Sequence, residues 1–342
     1  MIWLVWRRQR AALLTVAGLV AVVAVVLVAG RIAFLAHMRA HGVDETCFDV
    51  LSEACRRDAA AALDVDQPSG YGMFWSLGHF ALLALPLVVG LLAGVELFHR
   101  EIDERTYVLA LTQGVTPARW WATNLLVTGV PVAVLPVLLG VVAGWAYAPF
   151  DLITYSFSPL ETPIFEISGI VPAAYALLAF ALAAGTGLVA GGRLTAAIVA
   201  VVGYAVLMFV LATIARPDYL PAEIVRQSID PTRPDGGLTD VAGTWQIERH
   251  WVDDQGVQRH TTACGQADEY LRCLHDAGVT GYAVRTQPDL RYWAFQLIET
   301  AILVALSAVV LASTHPRVAA RWRDRRVTAP KRTTGPASMI QQ

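Results

Sequence analysis

The chain has 342 residues, of which 56% are hydrophobic and only 16% are charged, and its mean hydropathy is +0.50. This composition excludes an ordinary water-soluble domain, because a soluble core of this size needs fewer apolar side chains, and it predicts burial in lipid. The formal net charge of −2 conceals a segregation of charge along the chain. No nucleic-acid partner is expected, and the lipid bilayer is the first partner that the composition indicates.

Six segments are long and apolar enough to cross a hydrocarbon layer of about 30 Å, which takes about 20 helical residues. The predicted transmembrane helices are residues 11–34, 74–97, 121–147, 170–190, 196–214 and 293–313. The first segment follows three arginines, as a secretory signal peptide would. Its apolar run is too long for a signal-peptide core, and no small-residue cleavage site precedes Arg31, so we interpret it as a retained helix.

The distribution of arginine predicts the orientation of these helices, because short flanks rich in Arg or Lys stay in the cytoplasm. The cationic flanks are residues 1–10, residues 98–120, the turn at Arg193 and the tail at residues 314–342. With six spans, all four flanks lie on one side. We therefore expect a multi-pass protein of the cell membrane with both termini in the cytoplasm. The segments expected outside are residues 35–73, 148–169 and 215–292.

All four cysteines fall in two of the loops that are expected outside. Disulfides persist in oxidising compartments, and the local spacing pairs Cys47 with Cys55 and Cys264 with Cys273. Four free thiols are the alternative. A zinc site is disfavoured because the chain has no Cys-x-x-Cys spacing.

Residues 215–292 are expected to form a small folded cap. Thr244–Val252 and residues 257–261 alternate in polarity around a turn that contains Gly256, which predicts a β-hairpin. Residues 267–277 predict a short helix that ends at Gly278. The predicted fold class is therefore an all-α polytopic membrane protein with six transmembrane helices and a small disulfide-tied α+β extracellular cap between spans 5 and 6.

The sequence lacks three motifs that mark common classes of enzyme. A phosphate-binding P-loop needs a lysine after its glycines, and the one lysine in the chain is Lys331 in the tail. Neither His-Glu-x-x-His nor Gly-x-Ser-x-Gly occurs. His37 and His41 have a spacing that could hold a metal on a helix, but Gly42 follows and no third ligand is evident. We therefore expect no catalytic residue, no metal and no cofactor in this chain.

The connection between the second and third predicted spans is the most informative stretch. Its first half is charged, and its second half is an apolar and polar stretch that ends at Gly114, just before Pro117. An element of this kind lies along the membrane face and can present charged side chains to a soluble partner. A solvated connector whose arginines face phospholipid is equally consistent with the residues alone.

Residues 109–120 have the sequence Leu-Ala-Leu-Thr-Gln-Gly-Val-Thr-Pro-Ala-Arg-Trp, which resembles the intracellular loop of ABC-2 type permeases from actinobacteria. Residues 1–10 are similar to the N-terminus of that family, and residues 287–300 resemble the start of its last span. The three motifs are in register with six spans and cover nearly the whole chain. Two positions differ from the family pattern, which usually has glycine where this chain has Arg105 and lysine where it has Asn124.

The resemblance implies the permease subunit of an exporter, which dimerises and docks two separate ATP-binding subunits. ATP and magnesium would then belong to the partner. The loop after the second span would serve as the coupling helix. By position, the coupling residues would be Glu101, Glu104, Arg105, Thr106, Gln113 and Arg119. Lipids, peptides and drug-like compounds are all compatible substrates.

Two other classes of protein remain open. A membrane-anchored extracellular binding or sensor protein would use the cap as its working part. A membrane enzyme is disfavoured because no catalytic constellation is present. A neighbouring gene for a P-loop ATPase would favour the permease over the sensor.

Polar residues within the predicted spans are few, which makes each of them a functional candidate. They are Arg31, His79, Gln296 and Glu299. Arg31 and Glu299 lie at similar depth and could pair; alternatively, Arg31 reaches to lipid headgroups and Glu299 faces a wet crevice. His79 is expected to be a hydrogen-bonded packing residue. Glycines spaced four apart predict close helix contacts at Gly90 and Gly94, at Gly140 and Gly144, and at Gly187 and Gly191.

Overall fold

A computed structural model describes residues 2–44, 47, 53–63, 70–103, 116–154, 158–189, 193–229, 243–259, 264 and 270–327. Within these ranges the helices are α1 Ile2–Ala40, α2 Glu53–Leu63, α3 Gly70–Asp103, α4 Pro117–Thr154, α5 Ile164–Ile167, α6 Val171–Val189, α7 Arg193–Val210, α8 Tyr270–Asp276 and α9 Tyr292–Val327. The strands are β1 Glu223–Ser228, β2 Thr244–Val252, β3 Gln258–Arg259 and β4 Gly281–Pro288.

Five helical segments in the described ranges are long and apolar enough to cross a membrane. They are Ile2–Ala40, Met73–Val95, Pro117–Phe150, Arg193–Asp218 and Asp289–His315. The predicted span at residues 170–190 corresponds to α6, whose apolar segment Val171–Gly187 is shorter. The structure therefore gives five candidate spans and one shorter apolar helix instead of six spans of full length.

Helix α6 lies at the centre of the bundle and packs against α3, α4, α7 and α9. Its small and apolar side chains are almost all buried, as Tyr175, Leu178 and Phe180 illustrate. The other helices keep many large apolar side chains exposed, which suits contact with lipid. This arrangement explains why a helix shorter than its neighbours can still occupy the core of a membrane bundle.

Glycines allow α3 and α6 to approach each other closely. A Cβ atom at Gly90 would lie 2.6 Å from the backbone nitrogen of Phe180, and one at Gly94 would lie 2.7 Å from its carbonyl oxygen. The predicted contact at this pair is confirmed. A Cβ at Gly140 would lie 3.2 Å from the carbonyl oxygen of Ile167, whereas one at Gly144 would meet no described atom within 4 Å. The spacing of glycines alone therefore does not identify a helix contact.

The end of α7 is irregular. The helix continues as a π-helical turn at Leu211–Ala215 and a 3-10 turn at Arg216–Asp218. Such π turns are frequent at functional sites because they change the direction of the side chains that follow. Here the helical path extends past residue 214, where the fifth span was predicted to end, and carries Arg216 into the bundle.

The four strands form one antiparallel sheet in the order β1-β4-β2-β3. This sheet and α8 lie in the segment that was predicted to form the cap, and from here on the word cap means these elements. The predicted hairpin is present as β2 and β3, and Gly256 in its turn has φ +79°. Helix α8 is shorter than predicted and is followed by Gly278 with φ +74°. Strands β1 and β4 were not predicted.

Both disulfides join the predicted partners. Cys47 is bonded to Cys55 in α2, and Cys264 is bonded to Cys273 in α8. The second bond holds α8 against the sheet, where Leu274 and Val279 form a small apolar core with Cys264. The expected pairing is therefore confirmed, and four free thiols are excluded in this structure.

Candidate functional site

Three charged side chains are buried together where α5, α7 and α9 meet at the end of the bundle that carries the cap. Arg216 and Glu299 are 0% exposed, and Glu166 is 2% exposed. We call these three residues the charge cluster. Charged side chains are rarely buried this completely unless they are paired, so their contacts decide what the site can do.

Arg216 holds Glu299 by a two-point contact. Its Nε donates to Oε2 at 3.0 Å, and its Nη2 donates to Oε1 at 2.9 Å. Glu299 also accepts hydrogen bonds from the hydroxyls of Tyr175 at 2.7 Å and Tyr219 at 3.1 Å. Both carboxylate oxygens therefore have two donors each. Such charge-assisted, two-point contacts are the strongest hydrogen bonds in proteins.

Glu166 is bonded differently. Its Oε1 accepts from Nη2 of Arg216 at 2.6 Å and from the hydroxyl of Thr162 at 2.8 Å. Its Oε2 is buried and has no hydrogen-bond partner in the part of the chain that the structure describes. The cluster thus contains two carboxyl groups and one guanidinium, and the charge of one carboxylate is not balanced.

The main chain explains how Glu166 reaches this position. Helix α5 has only four residues and lies in the connection between α4 and α6. Gln296 of α9 binds both α5 and the start of α6. Its Nε2 donates to the carbonyl oxygen of Phe165 at 3.1 Å, and its Oε1 accepts from the amides of Ile170 and Val171 at 3.0 Å each. Those amides belong to the first turn of α6, where a helix lacks internal acceptors.

Gly169 makes this arrangement possible. It has φ +67°, and a Cβ atom there would lie 2.6 Å from Oε1 of Gln296. Next to it, the hydroxyls of Ser168 and Tyr292 lie 2.9 Å apart. Any larger residue at position 169 would therefore be strained by its backbone angle and would displace the side chain that holds α5 and α6 together.

The cap is bound directly to the helix end that carries Arg216. Gln287 of β4 donates to the carbonyl oxygens of Pro217 at 3.2 Å and Leu220 at 2.7 Å. Arg285 of β4 pairs with Asp218. The segment between α7 and β1 is therefore held by β4, an inner strand of the sheet.

Arg31 and Glu299 do not pair, because the carboxylate of Glu299 is occupied by Arg216 and two tyrosines. The alternative that Glu299 faces a wet crevice alone is wrong as well, since its side chain is fully buried. Arg31 instead contacts Trp145 of α4. Its guanidinium lies 4.3 Å from the indole ring centroid, and Nη1 donates to the carbonyl oxygen of Trp145. Similar depth along two helices does not make them neighbours, and α1 packs mainly on α4.

His79 is a packing residue, as predicted. It is buried, its Nδ1 lies 2.9 Å from the carbonyl oxygen of Trp75, and its ring stacks on Tyr147 at 4.6 Å. Nε2 of His37 lies 3.1 Å from the carbonyl oxygen of Ala62, and Nδ1 of His41 lies 2.9 Å from the carbonyl oxygen of His37.

The predicted coupling residues are only partly described. Glu101 lies in the last turn of α3, and Arg119 is exposed in the first turn of α4. The amide of Arg119 donates to the hydroxyl of Thr116 at 3.3 Å, which caps the start of α4. The remaining coupling residues, Glu104, Arg105, Thr106 and Gln113, lie outside the described residues.

Sequence reasoning missed Arg216 and Glu166, which complete the cluster. Arg216 stands before Pro217 and was assigned to the cap, and Glu166 was assigned to a short loop. A signal for Glu166 exists, since it is a lone acidic residue within the apolar run Ile-Phe-Glu-Ile. A buried glutamate is rarely left without a partner, and Arg216 is the arginine that follows the fifth predicted span.

A family model described as ABC-2 membrane transporter related matches residues 17–216, which is more than half of the chain. The matched range contains Glu166 and ends at Arg216, while Glu299 and the cap lie beyond it. No curated protein and no solved structure matches the chain. The apolar helices and this match agree with the resemblance to ABC-2 type permeases. The chain belongs to the ABC-2 membrane transporter related family and is the membrane component of a transporter.

Proposed function

We propose that this chain is the permease subunit of an ABC exporter in the cell membrane, and that it works with a separate ATP-binding subunit. The observation that carries the proposal is the family match, which covers the apolar helices from α1 to the end of α7. ATP and magnesium are bound by the partner in this scheme. The permease supplies the path through the membrane and forms a homodimer.

In this scheme α6 is the fourth of six spans. Its 19 residues correspond to about 28 Å of helix, close to the hydrocarbon thickness of about 30 Å. Six spans place the cationic flanks in the cytoplasm together with both termini. The cap and its disulfide then lie outside, where disulfides persist.

The coupling role is proposed for the connection between α3 and α4. Helix α3 continues to Asp103, eight residues beyond Val95, which corresponds to about 12 Å. Helix α4 then begins at Pro117 with Arg119 exposed. Both helices thus carry charged residues at the ends that border this connection. This placement supports the proposal that the connection contacts a soluble subunit. The predicted contact residues are Glu101, Glu104, Arg105, Thr106, Gln113 and Arg119.

A charge reversal in this connection tests the proposal. We expect Glu101→Arg with Glu104→Arg to leave membrane insertion intact and to reduce the amount of ATP-binding subunit that co-purifies. Like charges placed across a docked interface cost several kcal/mol, so a large reduction is expected. Substrate-stimulated ATP hydrolysis in liposomes should fall in parallel.

The matched control is Asp254→Arg, an exposed position in the turn of the cap. It reverses a charge on the opposite side of the membrane in this scheme and should leave the ATP-binding subunit attached. Equal co-purification and equal hydrolysis for the loop variant and the control would reject the coupling role.

A further inference from the structure

We propose that Glu166 is a proton-binding site: its Oε2 carries one exchangeable proton, which it takes up from the side of the cap past Thr162. The proposal concerns the charge cluster alone and does not depend on the ATP-driven function.

The charge balance of the cluster is the first argument. Two carboxyl groups share one guanidinium, and all three side chains are buried. An ionised carboxylate without a balancing charge is costly in a buried site, far more so than a neutral hydroxyl. One proton removes the excess negative charge and leaves a single ion pair.

The hydrogen bonds decide which oxygen carries the proton. Glu299 accepts four hydrogen bonds that serve both of its oxygens, which is the pattern of an ionised carboxylate. Glu166 accepts at Oε1 from Arg216 and Thr162, which is the pattern of a carbonyl oxygen. Its Oε2 has no partner in the described part of the chain, so this oxygen is the place for the proton.

A proton fits this oxygen better than a metal ion does. Hard cations need several oxygen ligands, about six for magnesium or calcium. The described residues contain no group of three or more His, Cys, Asp or Glu side chains that could hold a metal ion. A single oxygen is sufficient to bind a proton.

The other titratable groups that face Glu166 do not balance its charge. They are Tyr175 from α6, Tyr204 and Arg216 from α7, Tyr219 after α7 and Glu299 from α9. The three phenols are neutral near pH 7. Arg216 is the cation in this set, and Glu299 already uses it through two hydrogen bonds.

Thr162 connects the buried carboxyl group to the surface. Thr162 is exposed. Its hydroxyl donates a hydrogen bond to Oε1 of Glu166 and accepts one from Nη1 of Arg216 at 3.2 Å. A proton from solution therefore passes to this hydroxyl, the hydroxyl transfers its own proton to Oε1 of Glu166, and a half-turn of the carboxyl group brings the protonated oxygen to the position of Oε2. Loss of the proton would make Glu166 compete with Glu299 for Arg216, so the acidity at the cap would act on the contact between α7 and α9.

Infrared spectroscopy of the purified chain in lipid nanodiscs tests the proposal. At pH 7 the wild-type protein should show a protonated-carboxyl C=O band that Glu166→Gln abolishes. Glu299→Gln should abolish the same band, because Glu166 then ionises as the sole partner of Arg216. Glu248→Gln, an exposed change in the cap, should leave the band intact.

Two further measurements complete the test. Thr162→Val should slow the shift of the band in heavy water, because the exchange route is removed. Glu166→Gln should fold and retain at least the wild-type melting temperature, since glutamine replaces a neutral acid of the same shape.

The proposal is overturned if the wild-type band is absent at pH 7, or if it persists in Glu166→Gln or in Glu299→Gln. Failure of Glu166→Gln to fold would also overturn it, because an ionised carboxylate would then be required. A carboxylate spectrum that changes when sodium is replaced by an organic cation would assign the site to a metal ion instead. None of these outcomes depends on whether the chain transports a substrate.

Discussion

Arg216 and Glu299 lie 83 residues apart in the chain, yet their side chains meet through two hydrogen bonds in the interior of the bundle. The contact joins the irregular end of α7 to the second turn of α9. Because β4 also binds the main chain just after Arg216, the same residues connect the cap to the transmembrane helices.

Loss of Arg216 should be strongly destabilising. Arg216→Met leaves two buried carboxyl groups without a cation, and breaking a buried pair in this way costs about 3–5 kcal/mol in the free energy of unfolding. Unfolding in mixed micelles measures the loss. Adding Glu299→Gln to this variant should restore part of the stability, and Arg226→Met, an exposed change in β1, should have little effect. Additive losses in the double variant would contradict the pairing.

Close packing between α3 and α6 should make Gly90 intolerant of a side chain. Gly90→Ala places a Cβ atom within 2.5–2.7 Å of atoms in α6, so we expect a loss of about 1–3 kcal/mol from overpacking. Gly144→Ala is the matched control, because no described atom lies within 4 Å of its new Cβ. There the change should be neutral or stabilising by about 0.5–1 kcal/mol. Equal melting temperatures for the two variants would show that the helices are not in contact at Gly90.

Gln296 should protect the start of α6 from opening. Gln296→Leu removes the acceptor for the amides of Ile170 and Val171, and each buried group left without a partner costs about 1–3 kcal/mol. Hydrogen exchange followed by mass spectrometry should show faster exchange in residues 164–175. The neighbouring change Leu297→Ala, on an exposed face of α9, is the control. Unchanged exchange in the glutamine variant would argue against this role.

The turn between β2 and β3 should respond to acid through Asp253. The hydrogen bond from the amide of Val257 lowers the pKa of this carboxyl group, and the Arg259 guanidinium lowers it further. A lowered pKa means that ionised Asp253 stabilises the turn above the unfolded-state value of about 3.9, and that this stability is lost as the pH falls through the lower folded-state value.

Asp253→Asn should therefore loosen residues 244–259 at pH 7, and its difference from the wild type should shrink below about pH 4. Limited proteolysis of the cap across this pH range measures the effect. Asp254→Asn, next to it and exposed, should behave like the wild type. A difference that grows on acidification would have the wrong sign for this account.

Much of the fold follows from local sequence, because the length of an apolar run and the spacing of turn residues are local properties. The five long helices, the hairpin at β2 and the two disulfides were predicted in this way. Strand β4 was missed because both of its faces are largely buried, so the alternation that marks a strand is absent. Helix α5 is too short to leave a periodic pattern.

The charge cluster could be predicted only in part. Glu299 and Gln296 were found because polar residues in apolar helices are rare and usually functional. Their partners depend on which helices are lateral neighbours, which hydropathy does not determine. Arg216 was hidden by Pro217, since proline normally ends a helix, whereas here it begins a 3-10 turn that continues the helical path.

Dependence on a separate ATPase is the central claim, and nucleotide turnover by the reconstituted complex tests it most directly. The chain should be purified with its ATP-binding subunit, inserted into liposomes and assayed for ATP hydrolysis. We predict hydrolysis that requires both polypeptides in the membrane and is lost when the P-loop lysine of the ATP-binding subunit is replaced. A chain that purifies without an ATP-binding subunit, or a partner whose hydrolysis is the same with and without this chain, would contradict the account.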